Sequence, residues 1–538
     1  MSVNSKHGKA YLYGRILSPE TLLKNLHTDF FGEKRFSPAV ILITTLANAF
    51  LCYFYHMIYG LGCPDTLTEG VYYYRNADYS TTQARWMLRY INELFGKNVV
   101  IPSLIVIFYC LMIGVSAIII CRIINLTEPL PQILLTSMMV SFPVILHHFA
   151  FFYMALAYSV SFLAVTAGCA LIRTRKIPGI IAGILCFLIM MGSYQSYIGA
   201  VSALACILFI YDILNEKKVS VSLVNFLLCG AAGIAACLIN MPFSRWMMNL
   251  HHVGADGRVE GYTFKSAIDN LGFSLKYSYV WFFSYFNNDI LSRNRLYTVV
   301  FVILAVLIAL TLVKLIREKR YINALLFAVI TALLPIAMNL LLIIMPENGM
   351  RDILRYQYVL IFVLLFILHD HLGSGLINSV LKYPSYVAIV FIFIGNVISA
   401  NSTEKMYKLV YDHYEQQFTL ALERVYELEG FKEGETRIII GGLPSYEVLE
   451  SNNPKIFRYA EKEGGPIFWW NVFGMTKCRE YYFKDFLGVN AGYVFDQEYL
   501  NIVNCKQFSE MGIWPEEGSV EMIEGLAVIR FSEEPPKN

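Results

Sequence analysis

VVIPSLIVIFYCLMIGVSAIIIC, residues 99–121, contains no charged side chain. A helix of roughly 20 such residues spans the hydrocarbon core of a bilayer. Ten other stretches read the same way: 38–58, 131–147, 149–172, 178–193, 197–213, 221–242, 297–316, 321–345, 357–371 and 384–400. The third, fifth and tenth of the eleven in chain order are short. The 538 residues are 56% hydrophobic, 15% aromatic and 16% charged, with mean hydropathy +0.51. A soluble chain carries about 25% charged residues. Forty-three basic and 41 acidic residues give a net charge of +2, with no bias towards a polyanion. These figures exclude a soluble enzyme, a nucleic-acid binder and a disordered chain. They predict a mainly α, polytopic membrane protein of about 11 transmembrane helices.

Basic residues in the connections set the expected orientation. With the N-terminus in the cytoplasm, Arg173, Arg175, Lys176, Lys217, Lys218 and the cluster Arg317–Arg320 all fall inside. Turns near His147 and Ser193 carry no Lys or Arg and fall outside. An eleven-span count then places the tail after residue 400 outside as well. The domains expected are a cytoplasmic segment 1–37, a transmembrane domain 38–400 with outer loops 59–98 and 243–296, and an extracytoplasmic domain 401–538. The first segment is polar and basic, with no cleavable signal peptide expected, and its amphipathic TLLKNLHTDFF suits the inner leaflet. In the second outer loop, FSRWMMNL and KYSYVWFFSYF are amphipathic enough to lie in the membrane interface. The tail reads as a helix over 403–429, strands at TRIIIGG and LAVIRFS, and a helix in FWWNVFGMTKCREYYFKDFL, a small α/β domain. Nine of the eleven cysteines precede residue 240, most of them inside apolar runs. Cys478 and Cys505 could be bonded or free.

Ionisable groups held near a membrane are functional candidates. The first outer loop is densest in them: Asp65, Glu69, Arg75, Asp78, Arg85, Arg89 and Glu93. Gly60, Gly62 and Pro64 predict a turn back over the membrane. Asp65 then stands where a catalytic carboxylate belongs, or else caps TLTEG. Asp78 opens a second expected helix, NADYSTTQARWMLRYINELF, and suits an N-cap better than a catalytic role. On one helix Arg85, Arg89 and Asn92 would share a face that could hold a phosphate; Arg89 could equally pair with Glu93. Arg351 and Arg355, in MPENGMRDILRYQYV, form a second candidate phosphate site, or a surface ion pair with Asp352 or Glu347. His147 and His148 could line a sugar pocket with Gln195 of GSYQSYIG, or merely mark the interface with the neighbouring aromatics. Tyr74 and Trp86 could stack on a sugar ring, although aromatics are common at every membrane interface. Trp469, Trp470, Tyr481 and Tyr482 suit the tail's own core better than carbohydrate contact. No metal site or nucleotide-binding loop is expected.

PDTLTEG, NADYSTTQARWMLRYINELFG followed by a Pro near the next span, GSYQSYIG and MRDILRYQY resemble the GT-C superfamily of membrane glycosyltransferases. More narrowly, they resemble the bacterial Gtr-type glucosyltransferases that modify O-antigen, over most of 38–400. The resemblance implies a polyprenyl-phosphate sugar as donor and a cell-surface polysaccharide or glycolipid as acceptor. It also implies transfer at the outer face of the plasma membrane, with the tail domain binding or gating the acceptor. A separate flippase and donor synthase would supply the donor; membrane lipid is a further partner, and neither a cofactor nor nucleic acid is expected. Asp65 takes the place of the family's essential outer-loop acid, and Arg85 that of the basic residue shortly before the second span. Many relatives have two adjacent acids in this loop, whereas Asp65 lies between Pro64 and Thr66, which keeps Glu69 and Asp78 as partners or substitutes. The implied chemistry is inverting displacement with Asp65 as base, and Arg85, Arg351 or Arg355 facing the leaving phosphate. A polysaccharide polymerase or ligase and a lipid-linked sugar flippase are the rival readings.

Overall fold

The structure is a computed structural model that describes residues 36–75, 77–215, 217–256, 268–287, 294–344, 352–373, 375–442, 444–445, 447–454, 472–492 and 494–532. TLLKNLHTDFF, Arg351, Trp469 and Trp470 lie outside the described residues. Among those described, nine helices are long and apolar enough to cross a membrane. Two shorter apolar helices, Ile177–Ser193 and Tyr356–Leu372, coincide with the fifth and tenth expected stretches.

Local chemistry sets the helix ends. Pro38, Pro64, Pro102 and Pro129 each open a helix, because a first-turn N–H needs no partner inside the helix. The Ser37 hydroxyl caps the first span by accepting from the Val40 amide. That span, Pro38–Tyr59, ends at Gly60, whose φ of 58° closes the cap with an N–H to the His56 carbonyl. A Cβ there would stand 2.5 Å from Pro102, so glycine is required for both backbone and packing. The span bends at Tyr53 (φ −125°, ψ 21°). Beyond the bend the His56 amide donates to the buried carboxylate of Glu404 at 2.6 Å.

Three basic turns meet at one end of the bundle. Arg173 forks onto both oxygens of the fully buried Asp212 at 2.9 and 2.6 Å, and Lys217 adds a third contact at 2.7 Å. Arg320 donates to the Ile213 carbonyl beside them. Helix Ala155–Ile172 runs from this end to the opposite one, about 27 Å away at 1.5 Å per residue. The 60–100 connection lies at that opposite end, where the Cys63 amide donates to the Ala150 carbonyl.

One expectation changes. The helix expected over 403–429 is not separate from the last span: Leu376–Tyr426 is one helix of 51 residues. Its length of about 75 Å is more than twice a hydrocarbon core. No Gly or Pro interrupts residues 396–426, so nothing in the chain stops it. FSRWMMNL likewise forms the last turns of the 32-residue helix Val219–Leu250, whereas KYSYVWFFSYF lies in a helix of its own, Leu271–Phe286.

The far half of the 51-residue helix is the spine of the tail domain. Tyr411, Tyr414, Phe418, Leu422 and Val425 pack with Cys478, Tyr482 and Phe483 of helix Val472–Phe486 and with a three-stranded sheet. Its strands are β1 (Ile438–Gly441), β2 (Val520–Ile523) and β3 (Leu526–Arg530), in the order β1-β3-β2. β1 runs parallel to β3, and β2 antiparallel to it. The sequence reading missed β2. Its signal is Glu524-Gly525 between two apolar runs, and both residues have positive φ (50° and 79°), as a two-residue hairpin turn requires. No disulfide joins Cys478 to Cys505.

Candidate functional site

Asp65 and Glu69 stand on a helix of six residues, Pro64–Glu69, lying across the end of the bundle. Its cap position is Cys63, so Asp65 sits inside the first turn rather than at the cap. Thr66 anchors it: the hydroxyl donates to the Ala150 carbonyl at 3.0 Å and accepts from the Phe152 amide at 3.2 Å. Gly62 permits this approach, since a Cβ there would lie 2.8 Å from the same carbonyl. Burial, and then the charge of Asp65, push the Cys63 thiol well above its ordinary pKa.

The chain then doubles back. The Arg75 amide donates to the Glu69 carbonyl at 2.7 Å, the Tyr74 amide to the Gly96 carbonyl at 2.8 Å, and the Val100 amide to the Tyr72 carbonyl at 2.7 Å. The Tyr74 ring lies flat on Gly96, where a Cβ would come within 2.0 Å of it. Burial works against the Arg75 charge, but hydrogen bonds to Asp485 and Tyr73 outweigh it and raise the pKa.

The helix expected to run from Asp78 through Phe95 is two helices, Ala77–Thr82 and Trp86–Gly96. Ala84 breaks it with φ 59°. The Gln195 side chain holds the break by donating to the carbonyls of Gln83 and Ala84 at 3.2 and 3.0 Å. Arg85 therefore occupies the cap of the second helix and does not share a helical face with Arg89. Arg89 bonds to Asp78 and, at 3.0 Å, to Glu93. Asp78 lies in the first turn of its helix, its side chain largely exposed. Trp86 is buried; its indole donates to Asn240 at 2.9 Å and packs edge-on against Phe243.

Arg85 makes different contacts from Arg89. Its guanidinium lies 4.8 Å from the Tyr194 ring and 3.6 Å from the Met154 sulfur. Its Nε is buried with no hydrogen-bond partner, and no carboxylate pairs with it among the described residues. The phenol of Tyr153, 8% exposed, lies within electrostatic range of Asp65, Glu69 and Arg85 together. Sequence reasoning missed Tyr153; in FFYMALAY it looks like one more interfacial aromatic.

A row of rings leads onward from Arg85. Tyr194 meets Tyr158 edge-on at 4.7 Å, and Tyr158 stacks on His148 at 4.1 Å. His148 is fully buried between the Tyr109 hydroxyl (2.7 Å) and the Ile353 carbonyl (3.2 Å). The adjacent turn carries Arg355, bonded to Asp352, with its guanidinium 5.7 Å from the Tyr285 ring. The His147 Nε2 lies 3.8 Å from Asp352. The fold thus gathers Asp65, Glu69, Arg85, His147, His148 and Arg355 at one end of the bundle. Trp86 and Gln195 are used in packing and turn support beside this group, Tyr74 packs on Gly96, and Asp78 and Arg89 pair with each other.

Such a set can place a carboxylate base and a cation at one end of the bundle, with aromatic rings beside the cation. Residues 68–368, more than half of the chain, match the family model described as Glucosyl transferase GtrII. No curated protein matches the chain, and no solved structure does.

Proposed function

The chain belongs to the GtrII glucosyl transferase family, and from that premise we propose that it moves glucose from a polyprenyl-phosphate carrier onto a cell-surface polysaccharide or glycolipid at the outer face of the plasma membrane. One observation carries this reading: Asp65, Glu69 and Arg85 all lie within electrostatic range of Tyr153, and no carboxylate among the described residues forms an ion pair with Arg85. A half-buried guanidinium with its Nε enclosed and unbonded lacks hydrogen bonds that an anionic substrate group can supply when it binds. Phosphate suits it, because guanidinium presents paired donors to two oxygens.

Asp65 takes the proton from an acceptor hydroxyl. That oxygen attacks the anomeric carbon as the bond from this carbon to the phosphate oxygen breaks, and the electron pair leaves with the lipid phosphate. Configuration inverts, since there is one displacement. Arg85 stabilises the charge growing on the leaving phosphate. Arg355 stands further along the row of rings as a second cation, and the basic turns at the other end of the bundle support a cytoplasmic position for that end. A separate flippase and donor synthase would deliver the carrier.

The test is transfer of radiolabelled glucose from a polyprenyl-phosphate donor in proteoliposomes. Asp65→Asn lowers the rate by about 10²–10⁴-fold, the usual worth of a general base. A folded Asp65→Asn protein with undiminished transfer, beside an inactive Glu69→Gln, would move the base to Glu69. Full activity in both variants sinks the mechanism.

A further inference from the structure

Arg75 takes no part in that chemistry, yet it is the most enclosed charge of the 59–98 connection for which a partner in another domain is seen. Its side chain is 13% exposed and that of Asp485 only 7%. One guanidinium nitrogen bonds to both carboxylate oxygens of Asp485, on helix Val472–Phe486 of the tail domain. Another donates at 3.3 Å to the Leu67 carbonyl, in the middle of the acid helix. The guanidinium lies 4.2 Å from the Tyr481 ring and 5.3 Å from the Tyr73 ring. Leu67, fully buried, belongs to the core of the tail domain rather than to that of the bundle. The Tyr411 hydroxyl donates to the Gly62 carbonyl at 2.8 Å, just ahead of the same helix.

Six residues are too few to hold a helix in water without tertiary support. Thr66 secures one side of this helix to the bundle. Its other side rests on Leu67, Arg75 and the tail domain. A buried ion pair adds little net stability over an apolar pair, but its geometry is specific. We propose that Arg75 and Asp485 are positioning residues, through which the tail domain sets the height and angle of the helix carrying Asp65 and Glu69, so that the tail completes the active site. The proposal rests on the reading that a carboxylate of this helix is the base. Neither residue need touch substrate. Displacing a reacting group by 1 Å costs about 100-fold in rate, so loosening the pair lowers kcat more than donor binding.

The experiment uses the full chain in nanodiscs. Arg75→Ala, Asp485→Ala and the double variant are compared with wild type and with Glu498→Gln, which breaks the Arg437–Glu498 pair elsewhere in the tail domain. Hydrogen exchange of the amides of residues 65–69 is read first, because it does not depend on any reaction. Exchange there rises about tenfold or more in all three clamp variants and not in Glu498→Gln. With the glucosyl donor, kcat falls about 10–100-fold at a donor KM changed less than about threefold, and the double variant falls no further than either single one. Unchanged exchange over 65–69, or a double-variant loss equal to the product of the single losses, overturns the proposal. A wild type that transfers nothing defeats the proposed function instead, and the exchange result then decides alone whether the tail holds the acid helix.

Discussion

Arg85 and Arg89 are four residues apart in the sequence and look alike there, but only one faces the acids. Arg89 spends its charge on Asp78 and Glu93, whereas Arg85 lies over Tyr194 with a buried, unpartnered Nε. Arg85→Ala is therefore expected to lower kcat by about 10²–10³-fold, the cost of removing a donor that faces developing charge. Single-turnover transfer measures it, and a loss under about threefold removes Arg85 from the phosphate site. Cys63 offers a second residue-scale check. It is buried, and its thiol pKa is raised by burial and by Asp65. A raised thiol pKa means less thiolate at any given pH, so Cys63 stays protonated through neutral pH and resists alkylation. Peptide mass spectrometry after maleimide treatment at pH 8 should find Cys63 unmodified in the folded protein and modified after unfolding.

At the scale of elements, the break between helices Ala77–Thr82 and Trp86–Gly96 decides where Arg85 points. Gln195 supports that break from a different part of the chain. Gln195→Ala leaves two carbonyls without their donor and should cost about 1–3 kcal/mol. The same variant should lower glucosyl transfer as Arg85 loses its aim. Thermal unfolding and transfer assays in detergent report both effects, and a stable variant with full activity would contradict this account of the turn. The bend at Tyr53 is supported in the same way by Glu404. Glu404→Gln keeps an acceptor oxygen for the His56 amide and should be milder than Glu404→Ala, which leaves a buried N–H unpaired at about 1–3 kcal/mol.

Across the whole molecule, charge separates the two ends. Asp212 is the buried centre of one end, and Asp212→Ala strands Arg173 and Lys217 there, with a loss of about 3–5 kcal/mol expected in unfolding experiments. The same asymmetry predicts orientation. A cysteine at Tyr72, which is 51% exposed beside the acid helix, should react with an impermeant maleimide added outside intact cells. One at Lys319, in the basic turns, should react only after permeabilisation. The opposite pattern would reverse the topology.

The sequence alone was sufficient for the membrane class, because twenty apolar residues in a row leave the backbone no better solution than a helix in lipid. It also located the turn after Tyr59, since Gly60 and Pro64 act through local φ restrictions, and it singled out Asp65, Glu69 and Arg85 through the charge density of their loop. It did not show the break at Ala84, the merger of the last span with the tail helix, or β2. Ala84 is held in positive φ by Gln195 from another segment, and a propensity reading of one window contains no such partner. Tyr153 and the Arg75–Asp485 pair were hidden for the same reason: Arg75 and Asp485 are 410 positions apart. Hydrophobic runs and turn residues act over a few neighbours and are legible in the chain. Which charges meet is decided only when distant segments pack.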